Sequence, residues 1–175
     1  MSGTQPWRLS HRFDRRALPL ADRHYNRRAV GSPQFVPPGR CLVLLTDDAD
    51  ALWVTSWPYA QYVRHTWAGA MVNSLFRREA GLLASELIAA ATAATRAYWP
   101  DLPPLGIVSF VDAEKTRRKR DPGRCYRRAG WTHVGYTAGG LLAFQLKPED
   151  FPLPMPARAM HTDQLGLFEM GAISA

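Results

Sequence analysis

Two residues in the second half of the chain have side chains that could transfer protons. Asp112 ends a nearly unbroken apolar strand over 105–111, and Tyr126 lies in the helix predicted after Pro122. A carboxylate can take a proton from an attacking amine, and a tyrosine hydroxyl can give one to a leaving group. Structural interpretations stay open for both, because an aspartate after a strand also caps the next turn. Tyr126 could likewise be a core aromatic packed under Trp131.

The segment around these two residues is strongly basic. From Glu114 to Arg128 there are eight basic residues against two acidic ones, too many to be paired within the segment. The basic residues are Lys115, Arg117, Arg118, Lys119, Arg120, Arg124, Arg127 and Arg128. The whole chain has a net charge of +7, which favours a phosphate-rich partner. We expect this loop to meet an anion.

Composition predicts one compact domain in the cytoplasm. A chain of 175 residues with 46% hydrophobic content can bury a sizeable core without staples. The two cysteines, Cys41 and Cys125, imply no disulfide framework, and Cys125 is interpreted as a buried structural thiol. The sequence contains no apolar run of membrane-spanning length and no signal-peptide core. The five histidines lack the spacing of a structural zinc site, so no metal ligands are predicted, while a metal held by residues distant in sequence stays open.

The elements that must position Asp112 and Tyr126 have a mixed α/β order. Strands are predicted over 41–45, 51–57, 70–76 and 105–111, and a hairpin over 132–137 and 141–146. The longest helix is predicted over 81–99, because apolar residues recur there at helical spacing and Pro100 ends it. A short helix is expected near Leu20, carrying residues 22–28. We divide the chain into a basic N-terminal arm over 1–19, a catalytic domain over 20–150 and a Pro-rich tail over 151–175.

Two features resemble the GNAT fold of acyl-CoA-dependent N-acyltransferases. Tyr126, followed by Gly130 and an aromatic residue, resembles the closing helix of that fold, and residues 78–83 resemble its R/Q-x-x-G-x-G/A pyrophosphate loop. The resemblance implies a GNAT-like mixed sheet with flanking helices and an acetyl-CoA or other acyl-CoA cofactor. The cofactor-binding residues that it implies are Arg78, Gly81, Leu82 and Ser74. Leu83 departs from the motif, and Gly81 with Arg78 could equally be a helix-entry glycine and a solvated charge.

A longer set of motifs resembles a narrower family, the Mom-like phage DNA-modification proteins. The stretches that carry it are 22–28, 73–79, 81–88, 110–112 and 122–131. The resemblance implies a bacteriophage enzyme that alters adenine at N6, by a carbamoylmethyl or acyl-type group, and so protects DNA from restriction. It maps the catalytic positions to Tyr25, Ser85, Asp112 and Tyr126.

Basic and aromatic residues agree with a double-stranded DNA substrate. The predicted DNA-binding residues are Arg23, Arg27, Arg28, Lys115, Arg117, Arg118, Lys119, Arg120 and Arg124. A base that is modified at N6 must leave the stack and needs stacking partners. Trp57 and Tyr59 are candidates, although packing explains them equally well, and Trp53 is expected in the core.

Two other functions stay open at this point. The same basic rim suits a GNAT acyltransferase that acts on another anionic carrier, such as aminoacyl-tRNA. A non-catalytic nucleic-acid-binding protein on a GNAT scaffold would explain the imperfect loop at Leu83.

The tail contains a pentapeptide that resembles the Q-L-x-L-F motif of proteins that dock on the bacterial sliding clamp. Gln164 would bind a polar rim, while Leu165, Leu167 and Phe168 would fill an apolar groove. The proline-rich linker would hold this peptide away from the domain. The alternative is that the three apolar residues fold back on their own core.

Overall fold

A single seven-stranded sheet runs through the computed structural model, which describes residues 3–116 and 121–161. The strands are β1 Arg8–Leu9, β2 Arg40–Leu45, β3 Ala51–Trp57, β4 Met71–Arg78, β5 Ile107–Val111, β6 Thr132–Tyr136 and β7 Leu142–Leu146. The α-helices of this part are α1 Leu18–Asp22, α2 Ala84–Tyr98 and α3 Arg124–Arg128. The prediction of a mixed α/β fold is therefore confirmed.

The order of the strands is β1-β2-β3-β4-β5-β7-β6. All neighbours pair antiparallel except β4 and β5, which are parallel and are joined by the crossover helix α2. Parallel neighbours cannot be joined by a tight turn, so a long connection such as α2 is required between them. The centre of the sheet thus has one parallel junction between two antiparallel halves.

Each face of the sheet has its own core. On one face, Trp53, Ile88 and Phe144 belong to a cluster that α2 and α3 cover. On the other face, Leu20, Phe35 and Val54 belong to a smaller cluster beneath α1 and the segment that follows it. Trp53 and Val54 are adjacent on β3 and enter opposite cores, as the alternation of a strand requires. The expectation that Trp53 lies in the core is confirmed, since it is fully buried.

The first described residues are packed on the domain and do not extend from it as an arm. Trp7 is fully buried, and its indole nitrogen donates to the carbonyl of Leu87 at 2.9 Å. Leu9 in β1 pairs with Leu44 at the edge of the sheet. Burial of a large aromatic ring stabilises this attachment, although the surrounding sequence is basic and has little periodicity.

The described part of the Pro-rich tail is packed in the same way. Phe151 is buried, and the Met155 amide donates to the Ala93 carbonyl at 3.1 Å. The backbone of Arg158 forms an isolated parallel β-bridge with that of Arg8. This part of the tail is therefore packed on the domain and is not the extended linker that the proline content suggests. The predicted clamp-binding residues Gln164, Leu165, Leu167 and Phe168 lie outside the described residues.

Helix α1 is shorter than the sequence predicts. It ends at Asp22, and residues 23–37 continue in turns and bends. Asp22 causes this change, because its carboxylate binds Arg27 at 2.8 Å and accepts from the Gly31 amide at 3.1 Å. Such side-chain bonds to a following loop compete with continuation of a helix.

None of the helices in residues 3–116 and 121–161 has the length and apolar character that a membrane span requires.

Candidate functional site

The candidate site lies where β4 and β5 part. Their parallel pairing covers Met71 to Asn73 against Ile107 to Ser109, while β4 continues to Arg78 and β5 to Val111. A bulge on β4 lies at the same place, because Val54 pairs with Leu75 and Thr55 with Asn73, which leaves Ser74 extra. A bulge bends its strand and redirects side chains. The two strands therefore leave room for side chains from other elements.

Asn73 is the central side chain of this site. Its Oδ1 accepts from the Tyr126 hydroxyl at 2.7 Å and from the Ser109 hydroxyl at 3.2 Å. Its Nδ2 donates to the carbonyls of Val54, at 3.0 Å, and Leu75, at 2.9 Å, on either side of the bulge. All of these groups are buried. The amide thus joins three strands and α3 through one fully bonded group, as a buried polar side chain requires.

Tyr126 is held as a neutral proton donor. Burial raises the pKa of its hydroxyl far above the ordinary value, and the nearby Cys125 thiol raises it further. A hydrogen bond with Ser109 lowers it, but burial is the larger effect. The ring packs between Trp131, at 5.1 Å, and Phe144, at 5.7 Å between ring centroids. Core packing under Trp131 and a polar role at the hydroxyl therefore occur together in this residue.

Tyr25 and Asp112 lie beside the Tyr126 group. Burial raises the pKa of the Tyr25 hydroxyl, a hydrogen bond from the Asp112 backbone lowers it, and the charges of Asp112 and Cys125 raise it again. Asp112 also caps the turn after β5, since one carboxylate oxygen accepts from the amides of Glu114 and Lys115 at 3.0 and 3.1 Å. The structural interpretation of Asp112 is thus correct for that oxygen. Tyr25, Asp112 and Tyr126, which are distant in sequence, lie in one cluster.

His24 covers this cluster and is neutral at physiological pH. Its ring stacks on Tyr25 with centroids 4.5 Å apart. The pKa of His24 is lowered to about 4, first by burial and then by the charges of Arg77 and Lys115. Arg77 is the last residue but one of β4, and Lys115 follows β5. The His24–Tyr25 pair therefore lies between the ends of the two parted strands.

Ion pairs fasten the His24–Tyr25 segment to β4. Arg23 binds both oxygens of Glu79, at 2.6 and 2.8 Å, and Arg77 binds Glu79 at 2.8 Å. Arg77 also donates to the backbone carbonyl of Arg23 at 2.6 Å. The two guanidinium groups hold the pKa of Glu79 down at about 2. Arg23, which the sequence places among the DNA-binding residues, is therefore engaged within the protein.

The loop before α2 does not fit a CoA pyrophosphate. Arg78 donates to the carbonyls of Leu82, at 2.5 Å, and Gly81, at 3.1 Å. The Leu83 amide donates to Glu86 at 3.0 Å, and the Asp50 carboxylate lies 3.0 Å from where a Cβ on Gly81 would be. An anion at a helix start needs free amides and no competing carboxylate. This loop therefore does not support acyl-CoA as the group donor.

Two other residues from the resemblances lie apart from the Tyr126 group. Ser85 is in the first turn of α2, next to the loop of Arg78, Gly81 and Leu82. Ser74 bonds with Ser56 at 2.9 Å and faces a cleft on the opposite side of the sheet from α2. Ser74 and its neighbour Asn73 lie on opposite faces of the sheet, as the alternation of a strand requires.

The described basic residues divide into paired and unpaired groups. Arg27 binds Asp22, and Arg127 binds Asp121. Arg28, Lys115 and Arg124 form no ion pair with any residue in 3–116 or 121–161, and Arg28 and Arg124 are exposed. Arg117, Arg118, Lys119 and Arg120 lie outside the described residues. Among the predicted DNA-binding residues that the structure describes, the unpaired charges are thus near Lys115 and Arg124 and in the loop after α1.

The candidate stacking residues lie at the other end of β4 from the His24–Tyr25 pair. Trp57 packs on Trp99 with centroids 5.6 Å apart, and the Arg40 guanidinium lies over Trp57 at 4.3 Å and over Tyr59 at 4.7 Å. Tyr59 is 59% exposed. Packing thus accounts for Trp57, and the stacking of a base on either ring stays a prediction. Among the described residues, no group of three or more His, Cys, Asp or Glu is arranged to hold a metal ion.

Comparison with known proteins gives no family for the chain. No protein-family model, no curated protein and no solved structure matches it. The functional argument therefore depends on the geometry of the site itself.

Sequence reasoning did not single out Asn73 and Ser109, the two partners of Tyr126. A signal for both exists in the sequence, because each is a polar residue within an apolar strand, in Met-Val-Asn-Ser-Leu and Ile-Val-Ser-Phe-Val. Buried polar side chains need partners, so a polar residue in a strand buried on both faces indicates a hydrogen-bonded group.

Proposed function

We propose that this chain is a GNAT-like transferase that modifies DNA, with the N6 amine of adenine as the atom that receives the group. One observation carries the proposal: the buried Tyr126 hydroxyl, bonded to Asn73 where β4 and β5 part, with Tyr25 and Asp112 beside it. The order of elements around this point also resembles a GNAT core. The resemblance to the Mom-like family supplies the adenine target.

The chemistry that we propose uses the two ends of this cluster differently. The amine nitrogen attacks an electrophilic carbon of the group donor, and the bond from that carbon to its leaving group breaks. Tyr126 stabilises the negative charge on the leaving group by donating a hydrogen bond to it in place of its bond to Asn73, since its raised pKa keeps the hydroxyl protonated at neutral pH. The carboxylate oxygen of Asp112 that the turn leaves free takes the proton from the amine, directly or through water.

Nucleoside analysis of DNA from expressing cells tests this function. DNA is digested to nucleosides and weighed by mass spectrometry, and wild-type protein is expected to add a defined mass to deoxyadenosine. Tyr126→Phe should lower the yield by on the order of 10²-fold, whereas Tyr136→Phe, at a 64% exposed tyrosine, should not change it. Unmodified DNA from wild-type cells would refute the proposal. A mass increment on tRNA in its place would indicate an acyltransferase for aminoacyl-tRNA.

A second candidate function is nucleic-acid binding without catalysis. The filled start of α2, with Glu86 on the Leu83 amide, favours it because one anion site of an acyltransferase is lost. Wild-type protein that binds DNA but leaves every nucleoside unmodified would support this second function. Loss of modification in Tyr126→Phe with DNA affinity retained would contradict it.

A further inference from the structure

A cleft of about 340 Å³ lies on the face of the sheet opposite α2, between β4 and the segment after α1. Buried Phe35, Val36 and Leu75 line it, together with exposed Asn26 and Arg28. This volume is in the range of small-molecule sites, which combine apolar walls with a few polar groups. The cleft thus has the composition of a ligand site.

The walls of the cleft are held in place before any ligand binds. The Arg27 side chain binds Asp22 at 2.8 Å and donates to the carbonyls of Gln34, at 2.9 Å, and Ser32, at 2.5 Å. Arg27 is only 10% exposed, although it lies in a loop. One guanidinium therefore fastens both sides of the segment over 22–34, and preorganisation of this kind lowers the cost of binding.

Two polar side chains at the cleft remain free to bind a ligand. Asn26 makes no side-chain hydrogen bond, and Arg28 makes neither a hydrogen bond nor an ion pair, with any residue of the described ranges. An asparagine amide pairs with the adjacent donor and acceptor that adenine has at N6 and N7. An arginine binds a phosphate bidentately. The Asn26 amide thus suits an adenine base and the Arg28 guanidinium suits a phosphate, and the apolar floor of the cleft suits the face of the base.

The cleft adjoins the cluster around Tyr25. His24 lines the cleft and also stacks on Tyr25, whose hydroxyl lies at Asp112. We propose that the cleft holds one adenine taken out of a nucleic-acid strand, with Asn26 on its polar edge and Arg28 on the adjoining phosphate. The inference rests on the proposed function and names the place where that substrate binds. An adenine held through one N6 hydrogen keeps its second one available for chemistry.

Binding of short oligonucleotides tests this inference without any measurement of catalysis. The probes are two fluorescein-labelled single strands, one of thymines with a single central adenine and one of thymines alone, because an unpaired base costs least to unstack. Fluorescence anisotropy is expected to show about tenfold tighter binding of the adenine strand, the size of one good bidentate contact. Asn26→Ala should abolish that preference, and Ala29→Trp, at an exposed residue of the cleft, should weaken it by filling the space.

Matched controls separate the cleft from the rest of the surface. Gln61→Ala removes an exposed amide that does not line the cleft, and Arg15→Ala removes an exposed charge as Arg28→Ala does. The inference is supported if Arg28→Ala weakens both strands more than Arg15→Ala and Gln61→Ala leaves the adenine preference intact. Equal affinity of wild-type protein for the two strands would overturn it, as would a preference that Asn26→Ala and Ala29→Trp retain.

The outcomes also distinguish this inference from the proposed function. An adenine preference that depends on Asn26, in a protein that leaves DNA unmodified, would establish the cleft and refute the catalytic proposal. Modified deoxyadenosine in cells that express Asn26→Ala and Ala29→Trp at wild-type yield would refute the cleft and retain the enzyme.

Discussion

Asn73 has no spare hydrogen-bonding capacity for a substrate. Its two amide hydrogens go to the Val54 and Leu75 carbonyls, and its oxygen accepts two hydroxyls. Its role in the proposed reaction is therefore to position Tyr126. In the resting site the single hydrogen of the Tyr126 hydroxyl points at Asn73, so Asn73 sets the orientation of the hydroxyl until a leaving group takes its place as acceptor.

Titration of His24 makes the free energy of unfolding depend on pH below neutrality. Its folded pKa of about 4 lies below the ordinary 6.5, so the folded state binds fewer protons than the unfolded state. The contribution to stability is therefore complete above the unfolded pKa and is lost as the pH falls from 6.5 through 4. Between about pH 7.5 and pH 5 we expect the loss from this residue to be about 2 kcal/mol.

The variant His24→Phe measures this contribution directly. Phenylalanine keeps a ring on Tyr25 and removes the titration, so its urea unfolding free energy should decline less than that of wild type over the same window. The difference between the two proteins cancels the other titrating groups, such as His65, whose pKa burial also lowers. Parallel declines in the two proteins would mean that His24 is not buried as a neutral ring.

At the scale of elements, the five-residue helix α3 orients Tyr126 and depends on its first residues. A helix this short has no stability of its own, so packing must hold it. Gly123, at its N-cap, has a φ of 81° and lies directly on Phe144. A Cβ at this position would be 2.1 Å from Cζ of that ring. Position 123 therefore requires glycine for two reasons: its φ is positive, and Phe144 leaves no room for a Cβ.

Gly123→Ala should destabilise the protein more than Gly130→Ala. Both positions have positive φ, 81° and 90°, but a Cβ on Gly130 would meet nothing within 4 Å. Backbone strain alone costs about 1–2 kcal/mol, and displacing Phe144 adds an overpacking cost of about 1–3 kcal/mol. Chemical denaturation of the two variants gives the difference. Equal losses would show that Phe144 moves aside freely.

At the scale of the whole molecule, the ends of the described chain are tied to one another. Asp47 binds Arg8 at 2.8 Å and Arg158 at 2.7 Å, and these two arginines lower its pKa to about 2. Trp7 and Phe151 are buried in the same core cluster. The segments before β1 and after β7 thus belong to the same folding unit as the sheet.

The net charge of +7 leads to a prediction about DNA affinity and salt. If about five phosphates are neutralised, log K should fall with log salt at a slope of about −4.5. Replacing Arg117, Arg118, Lys119 and Arg120 with alanine should flatten that slope. As a control, removing the exposed charges of Arg15, Arg64 and Lys147 should change the slope less per charge. Equal changes per charge would mean that the basic loop does not contact the phosphate backbone of DNA.

The pentapeptide at Gln164 leads to a prediction about a protein partner. A peptide over 160–170 is expected to bind a bacterial sliding clamp with micromolar affinity, which calorimetric titration would measure. Gln164→Ala and the double change Leu167→Ala/Phe168→Ala should each weaken it. Attachment to a clamp on DNA would raise the local concentration of the enzyme there. The motif would be ruled out if the wild-type peptide does not bind, or if the substitutions leave its affinity unchanged.

The sequence by itself determined the main elements, because their signals are local. The apolar run before Asp112 became β5, the helical spacing before Pro100 became α2, and both hairpin strands formed where predicted. Tyr126 could be chosen from its helix and its neighbours alone. Its chemical surroundings could not, because they come from residues far away in the chain.

Only the tertiary structure decided which side chains meet. Asn73 bonds the carbonyls on both sides of the bulge at Ser74 and meets Tyr126 from α3, and the parallel register of β4 with β5 brings Ser109 to the same oxygen. No tight turn sets this register, because the two parallel strands are joined through α2 and are placed by its packing. The same holds for Arg27, whose charge looks like a surface charge in the sequence but fastens a loop when Asp22 and two carbonyls face it. Side-chain partnership is a property of the folded chain, since each bond requires two distant segments to be placed together.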